Sequence, residues 1–184
     1  MISLNREDYL TLMKSKVTNK NLQKHMLATE AILRDLAPRF SGEIEEWGLA
    51  GLLHDIDYEN TATNPEKHGI EGVEFLSQYE LPKYVLDAIS RHPGQDKLLT
   101  NLDQALYAAD PLTGLIVACA LIHPTKKLNA IDTLFIRNRF NEKSFAKGAS
   151  REQISTCHLL GLELEEFISL GLAAMQGIAT ELGL

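Results

Sequence analysis

Apolar residues recur with helical spacing along most of this chain, and this pattern restricts the fold more than any other feature. Within residues 22–37, for example, Met26, Ile32 and Leu36 belong to a one-sided apolar stripe. The alternation of apolar and polar residues that indicates β-strands is nearly absent. The sequence therefore predicts an all-α fold of about nine helices.

Prolines and polar capping residues indicate where the helices begin and end. Pro38 is expected to close the second helix, and the Asn-Pro-Glu sequence at 64–66 to open the fourth, with His68 in its first turn. Pro111 lies inside the sixth helical segment and is expected to bend or break it after Asp110. The predicted helices cover about residues 6–14, 22–37, 43–54, 64–80, 82–92, 101–123, 128–139, 151–160 and 164–182.

Length and charge limit the functions that the chain can have. Its 184 residues suit a single domain with a sizeable core. The formal net charge of −7 makes long-range attraction to nucleic acid unfavourable. A small anionic substrate stays compatible with this charge if a metal ion supplies local positive charge.

The expected location is the cytoplasm, without a membrane partner. The chain has only two cysteines, Cys119 and Cys157, and therefore no disulfide framework. The N-terminal residues contain no apolar signal core. The longest apolar run, Leu112–Ile122, falls well short of the ~20 residues that a membrane-spanning helix needs.

Side chains of the types that bind metals fall on five successive predicted helices, mostly at helix ends. Asp110 is the least expected of them, because a lone carboxylate in an apolar helix has a high desolvation cost unless it is paired or coordinated. An alternative role for Asp110 is the N-cap of a helix that restarts at Pro111. The candidate ligands are His25, His54, Asp55, His68, His92 and Asp110.

The adjacent pair His54 and Asp55 follows an apolar segment, Trp47–Leu53, that is expected to lie in the core. Neighbouring side chains on a regular helix diverge by about 100°, so two adjacent residues share a metal easily only where the helix ends. The imidazole can offer one nitrogen, and the carboxylate can offer two oxygens to two cations. The alternative is a chance pair at an ordinary helix C-terminus, but the other candidate ligands favour a metal site.

The order His25, His54-Asp55, Asp110 resembles the HD-domain superfamily of metal-dependent phosphohydrolases, as do the sequences GLLHDIDY and ALYAAD. The resemblance covers about residues 20–125 and implies one HD-type helical bundle over residues 1–184, in which 126–184 would be a C-terminal helical extension. His68 and His92 resemble the additional ligands of the two-metal subgroup. The Gly-Tyr-Pro signature of the cyclic-dinucleotide branch is absent, which argues against such substrates.

The resemblance also implies a division of the ligands between two ions. One ion would take His25, His54, Asp55 and Asp110, and the other would take His68, His92 and the second oxygen of Asp55. Fe or Mn would be the preferred metal, with Co, Ni, Zn or Mg as alternatives. The implied activity is hydrolysis by metal-bound hydroxide of a phosphoester or phosphoanhydride in a nucleotide or another small phosphorylated metabolite.

Asp55, Asp57, Lys67 and Arg91 are the predicted catalytic residues. Asp55 would hold both ions, and Asp57 would act as a general acid or as an acceptor for a ligand imidazole. Lys67 and Arg91 each precede a candidate ligand and could contact the substrate. The alternative for these last three residues is an ordinary solvated charge.

Two other functions share the same ligand pattern. One is a mixed-valence di-iron oxygenase of the same superfamily, and the other is a non-catalytic HD module that binds a nucleotide as a signal. The remaining histidines, His123 and His158, lie outside the pattern and are not expected at the site.

Overall fold

The computed structural model describes residues 1–184, and its regular structure consists of helices. This confirms the predicted all-α fold, in which a single isolated bridge between Ile2 and Tyr79 is the one β-type interaction. The α-helices are α1 (Arg6–Lys16), α2 (Lys20–Leu36), α3 (Ile44–Leu53), α4 (Tyr58–Thr61), α5 (Ile70–Leu76), α6 (Lys83–Arg91), α7 (Asn101–Ile122), α8 (Thr133–Phe140), α9 (Arg151–Ser155), α10 (Leu164–Gly177) and α11 (Ala179–Leu182).

The close crossing of α2 and α3 positions two of the candidate ligands. A Cβ atom at Gly51 would lie 2.7 Å from the backbone nitrogen of Glu30, so only glycine allows the two helices to approach this closely. His25 on α2 and His54 at the end of α3 are therefore held side by side. Arg6 of α1 joins this contact, because its guanidinium donates to both carboxylate oxygens of Glu30 at 2.6 and 2.9 Å.

The predicted break at Pro111 is wrong, since α7 continues unbroken from Asn101 to Ile122. A proline in a helix interior costs about 3 kcal/mol. Leu106, Leu112 and Ile116 on the same helix are fully buried, and each such burial contributes about 1.5–3 kcal/mol. Packing on both sides of the proline therefore outweighs its cost, and Asp110 lies within a continuous helix rather than capping a new one.

Helix α7 is also the one helix that is long and apolar enough to cross a membrane by length and composition alone. In the folded chain it packs against α2, α6, α8, α9 and α10. Of the most apolar window of this helix, 61% is buried inside the protein, which is the pattern of a core helix. Its length and composition are therefore weak evidence for a membrane span.

The predicted start of the fourth helix at residues 64–66 is also wrong. Pro65–Lys67 form a short 3-10 turn, and α5 begins only at Ile70. His68 has an extended backbone, and Gly69 has a positive φ of 80°, which is the region that favours glycine. His68 thus lies in the connection before α5, where its side chain can turn towards the end of α3.

The chain after residue 126 folds onto the same core as the rest. Helix α10 packs against α2 and α7, and α9 packs against α7. Arg151 orders the connection between α8 and α9, because its guanidinium donates to the carbonyl oxygens of Phe145 and Ala149 at 2.7 Å. The boundary between an HD core and an extension, placed near residue 126 by the sequence, stays a prediction.

Candidate metal centre

The candidate ligands lie together at one end of the bundle, around a cavity of about 500 Å³. His54 is fully buried beneath this cavity, and the other five candidate ligands line it. The six residues are His25, His54, Asp55, His68, His92 and Asp110.

One half of the cluster is formed by α2, the end of α3 and α7. His25 Nε2 lies 3.1 Å from His54 Nε2 and 3.2 Å from Asp110 Oδ1. Asp55 Oδ2 is 3.5 Å from the Nε2 atoms of both His25 and His54. Two imidazole nitrogens and two carboxylate oxygens therefore face a common point.

The other half is formed by the segment before α5 and the end of α6. His68 Nε2 lies 3.0 Å from His92 Nε2. Asp55 Oδ1 is 3.2 Å from His68 Nε2 and 3.4 Å from His92 Nε2. Asp55 thus stands between the two halves and directs one oxygen to each; its role as a bridge between two ions stays a prediction.

The two most buried histidines are oriented by the backbone. His54 Nδ1 lies 2.8 Å from the carbonyl oxygen of Gly51, and His92 Nδ1 lies 2.6 Å from that of Ile89. A carbonyl oxygen can only accept, so each Nδ1 carries the proton. Both Nε2 atoms then direct a lone pair into the cluster.

The other two histidines are oriented by side chains. The Thr113 hydroxyl donates to the carbonyl oxygen of Asp110 at 2.9 Å, and its oxygen accepts from His25 Nδ1 at 2.7 Å. His68 Nδ1 donates to Asp57 Oδ1 at 2.8 Å. All four imidazoles therefore present Nε2 to the centre, which is the arrangement that such hydrogen bonds produce in metal sites.

This donor set fits divalent cations. Lone pairs of two nitrogens about 3 Å apart repel unless a proton or a cation lies between them. Metal–nitrogen bonds of about 2.0–2.1 Å place neighbouring ligand atoms on one ion about 3 Å apart, close to the separations of His25 from His54 and of His68 from His92. Imidazole-rich sites suit Fe, Mn, Co, Ni or Zn better than Mg or Ca.

The electrostatics of the cluster also suit metal binding. Burial lowers the pKa of His54 to about 4, which keeps its imidazole neutral. Burial would raise the pKa of Asp55, but His54, His68 and His92 outweigh it and hold this pKa well below its ordinary value. For His68, burial is outweighed by hydrogen bonds to Asp55 and Asp57, which raise its pKa to about 9. Without a cation, His68 thus carries the proton that offsets the two carboxylates.

Asp57 lies behind His68 rather than at the cavity. Its Oδ1 accepts from His68, and its Oδ2 accepts from the backbone N–H groups of Gly69 and Gly72 at 2.8 and 2.7 Å. The carboxylate therefore also caps the start of α5. Both oxygens are engaged by N–H donors, so the geometry matches the predicted acceptor role and does not support the predicted general acid.

Lys67 and Arg91 do not line the cavity, contrary to the contact with substrate that the sequence suggested. The side chain of Lys67 is 56% exposed, and its ammonium lies 3.3 Å from Glu71. Arg91 is 3.1 Å from Asp103, a fully buried carboxylate near the start of α7. For Arg91, the last residue of α6, adjacency to His92 does not imply the same direction, because successive helical side chains diverge by about 100°.

The structure adds residues that sequence reasoning missed. Tyr58, Gln95 and Gln153 line the cavity, and the Tyr58 ring centre is 5.3 Å from that of His68.

Thr113 could have been found from the sequence, since it is a polar residue three positions after Asp110 in an apolar helix. The sequence gives no local indication for Gln153, because this residue reaches the cavity only through the packing of α9 on α7. His123 and His158 lie outside the cluster.

Comparisons with curated proteins match this chain to part of two ribonucleases. Ribonuclease Y of Acholeplasma laidlawii is 34% identical over 95 residues, which are 51% of this chain and 18% of the relative. Ribonuclease Y of Nitratiruptor sp. is 27% identical over 136 residues, which are 72% of this chain and 26% of the relative. The chain therefore spans only about a fifth to a quarter of the length of these relatives. No solved structure matches.

The family comparison covers the segment that holds all six candidate ligands. The model described as HD domain matches residues 22–115, about half of the chain. The match confirms the resemblance to the HD-domain superfamily seen in the sequence. It begins within α2 and ends within α7, the two helices that contribute His25 and Asp110. The chain belongs to the HD domain family.

Proposed function

We propose that this chain is a metal-dependent phosphohydrolase that cleaves a phosphoester or phosphoanhydride bond in a nucleotide or another small phosphorylated metabolite. The observation that carries this proposal is the position of Asp55, with one oxygen facing His25 and His54 and the other facing His68 and His92. A pair of cations held by Asp55 and these histidines would lower the pKa of a bound water molecule and neutralise negative charge on the phosphoryl oxygens of the substrate.

The residues of the chain would act mainly by positioning. The backbone carbonyls and the Asp57 and Thr113 side chains hold the four imidazoles in one tautomer. The cavity has the size expected for a small metabolite. Tyr58, Gln95 and Gln153 offer neutral hydrogen-bonding groups around it. No lysine or arginine lines the cavity, so the proposed ions would carry the whole task of neutralising the substrate.

Iron or manganese is the proposed metal, on the resemblance to the HD-domain superfamily of metal-dependent phosphohydrolases. Four of the six candidate ligands are imidazoles, which bind these ions and other transition metals more readily than magnesium or calcium. Elemental analysis of the purified protein tests the identity of the metal and whether two ions bind per chain.

RNA is a second candidate substrate, because the curated relatives are named Ribonuclease Y. Two properties favour a small substrate instead. The net charge of −7 opposes association with a polyanion, and the absence of lysine and arginine from the cavity leaves no cationic track for a phosphate backbone. Parallel assays with a short RNA, a nucleotide panel and p-nitrophenyl phosphate distinguish these substrates.

The decisive experiment replaces a candidate ligand that has no contact with bulk solvent. His54→Ala is expected to lose bound metal and more than ~100-fold in phosphoester hydrolysis, because even a residue that only orients a ligand typically contributes 10–100-fold. His158→Ala is the matched control, since His158 is exposed and hydrogen-bonds only to the Ser155 carbonyl oxygen. It should retain both metal and activity.

Several outcomes would contradict the proposal. Full turnover by the His54→Ala protein would remove the catalytic site. Metal-loaded protein that binds nucleotides but hydrolyses no phosphoester would favour the signalling module. Product formation that requires oxygen, with iron and not with manganese, would favour the oxygenase.

A further inference from the structure

A second cavity, of about 450 Å³, shares His25 and Thr113 with the surroundings of the metal centre. Its walls are formed by α2, α7 and the C-terminal residues. We call it the apolar chamber, because Val117, Leu121, Leu182 and Leu184 supply its hydrophobic surface. It is distinct in composition from the metal cavity, which contains the carboxylates and three of the candidate histidines.

The apolar chamber has one cationic residue. Lys24 lines it and is exposed, and none of the ion pairs in the structure involves this lysine. Leu121 is 50% exposed although it belongs to the chamber wall. Apolar surface next to an unpaired ammonium is complementary to a molecule with an apolar body and an anionic head.

Gly114 keeps the apolar chamber open. It lies on α7, where glycine is a poor helix former. A Cβ atom at this position would meet no atom within 4 Å, so no neighbouring helix requires glycine there. This contrasts with Gly51, whose missing side chain is needed for the contact between α2 and α3. The open space at Gly114 is therefore available to a ligand.

We propose that the apolar chamber binds an amphiphilic anion, namely a carboxylate or a phosphate monoester with an aliphatic tail of medium length. The tail lies against Val117, Leu121 and Leu182, and the anionic head lies at the Lys24 ammonium. The residues that would contact this ligand, Lys24, Val117, Leu121 and Leu182, are not candidate metal ligands, although His25 borders both cavities.

Isothermal titration calorimetry of the full chain with octanoate, octyl phosphate and octanol tests the proposal. Both anions should bind, and octanol should bind more weakly. Lys24→Gln should weaken binding of the anions by about two- to fivefold, as expected for one exposed charge pair, and leave octanol unchanged. Comparison of octanoate with octyl phosphate shows which head group the chamber prefers.

Gly114→Leu should fill the apolar chamber and weaken binding of octanoate by at least about tenfold. Gly177→Leu is the matched control, because Gly177 is also helical, has no atom within 4 Å of its Cβ position and lies outside the chamber. Gly114 does not line the metal cavity, so any binding of octyl phosphate there would persist in the Gly114→Leu protein.

Three results would overturn the proposal. The first is an absence of octanoate binding, and the second is equal affinity of the unaltered and Gly114→Leu proteins for octanoate. The third is that the unaltered protein binds octanol and octanoate equally well and that Lys24→Gln changes neither affinity. Circular dichroism of both leucine variants shows whether each retains its helices, so a loss of binding can be separated from a loss of folding.

Discussion

The tautomer of each histidine in the cluster is determined by the group that accepts from its Nδ1 atom. For His54 and His92 this acceptor is a backbone carbonyl, which cannot be altered by substitution of a side chain. For His68 it is the Asp57 carboxylate, which also binds two backbone N–H groups of α5. Asp57 therefore controls both the direction and the protonation of one candidate ligand.

Replacing Asp57 with asparagine should change the tautomer of His68. If the asparagine oxygen stays on the N–H groups of Gly69 and Gly72, its NH₂ group must donate to His68 Nδ1. The proton of the neutral ring then moves to Nε2, which removes the lone pair facing His92. We expect the affinity for one metal ion to fall about 10–100-fold, as measured by metal titration.

A matched control for this substitution is Asp87→Asn, which removes a partly exposed ion pair with Lys83 at 2.8 Å and one with Arg91 at 3.8 Å, both on α6. It should bind both ions normally. Unaltered metal affinity in the Asp57→Asn protein would show that His68 does not depend on this carboxylate.

At the scale of helices, one glycine decides how closely α2 and α3 can pack. Gly51 faces the backbone of Glu30 and Thr29, and neither can move away without separating the two helices. His25 and His54 lie on these helices, so the helix contact and the geometry of the cluster are linked. Pro111 shows the converse case, in which surrounding burial overcomes a local tendency to break a helix.

Gly51→Ala should therefore destabilise the protein by about 1–3 kcal/mol, the usual cost of overpacking a core. It should also reduce metal affinity, because the added methyl group would move His54 away from His25. The midpoint of urea denaturation and a metal titration measure the two effects.

Gly177→Ala is the control for Gly51→Ala, since its Cβ would enter open space. It should leave the denaturation midpoint unchanged or raise it slightly through better helix propensity. An equal or higher midpoint for Gly51→Ala would contradict the close helix contact described above.

At the scale of the whole molecule, the cluster exists only when the chain is folded. Its ligands come from α2, the end of α3, the segment before α5, the end of α6 and α7. An unfolded chain would hold these groups far apart, so an ion that binds the cluster binds the native state almost exclusively. Binding of this kind stabilises a protein in proportion to the logarithm of the ligand concentration.

Removal of metal should accordingly lower thermal stability. At a free metal concentration of about 100 times Kd, the free energy of unfolding should rise by about 2.7 kcal/mol. Thermal denaturation with EDTA and then with increasing Mn²⁺ measures this shift, and the His54→Ala protein should show little of it. An identical Tm with EDTA and with saturating Mn²⁺ would contradict a metal centre made of these residues.

Particular residues show how far sequence reasoning reached. The candidate ligands were visible because histidine and aspartate stood out at helix ends or in apolar segments, and their order resembled a known family. Lys67 and Arg91 were placed wrongly, because their neighbours in sequence said nothing about their direction. Tyr58, Gln95 and Gln153 were missed, since a neutral polar side chain carries no local signal of the cavity that it lines.

The sequence by itself determined the helical class and the set of side chains able to bind metal, because apolar periodicity and ligand chemistry are properties of short segments. Only the tertiary structure decided that Asp55 lies between two pairs of imidazoles, that Asp57 stands behind His68 and that α7 continues through Pro111. These features depend on contacts between segments far apart in the chain, such as Gly51 against Glu30. Such contacts follow from the packing of the whole core, which no local pattern specifies.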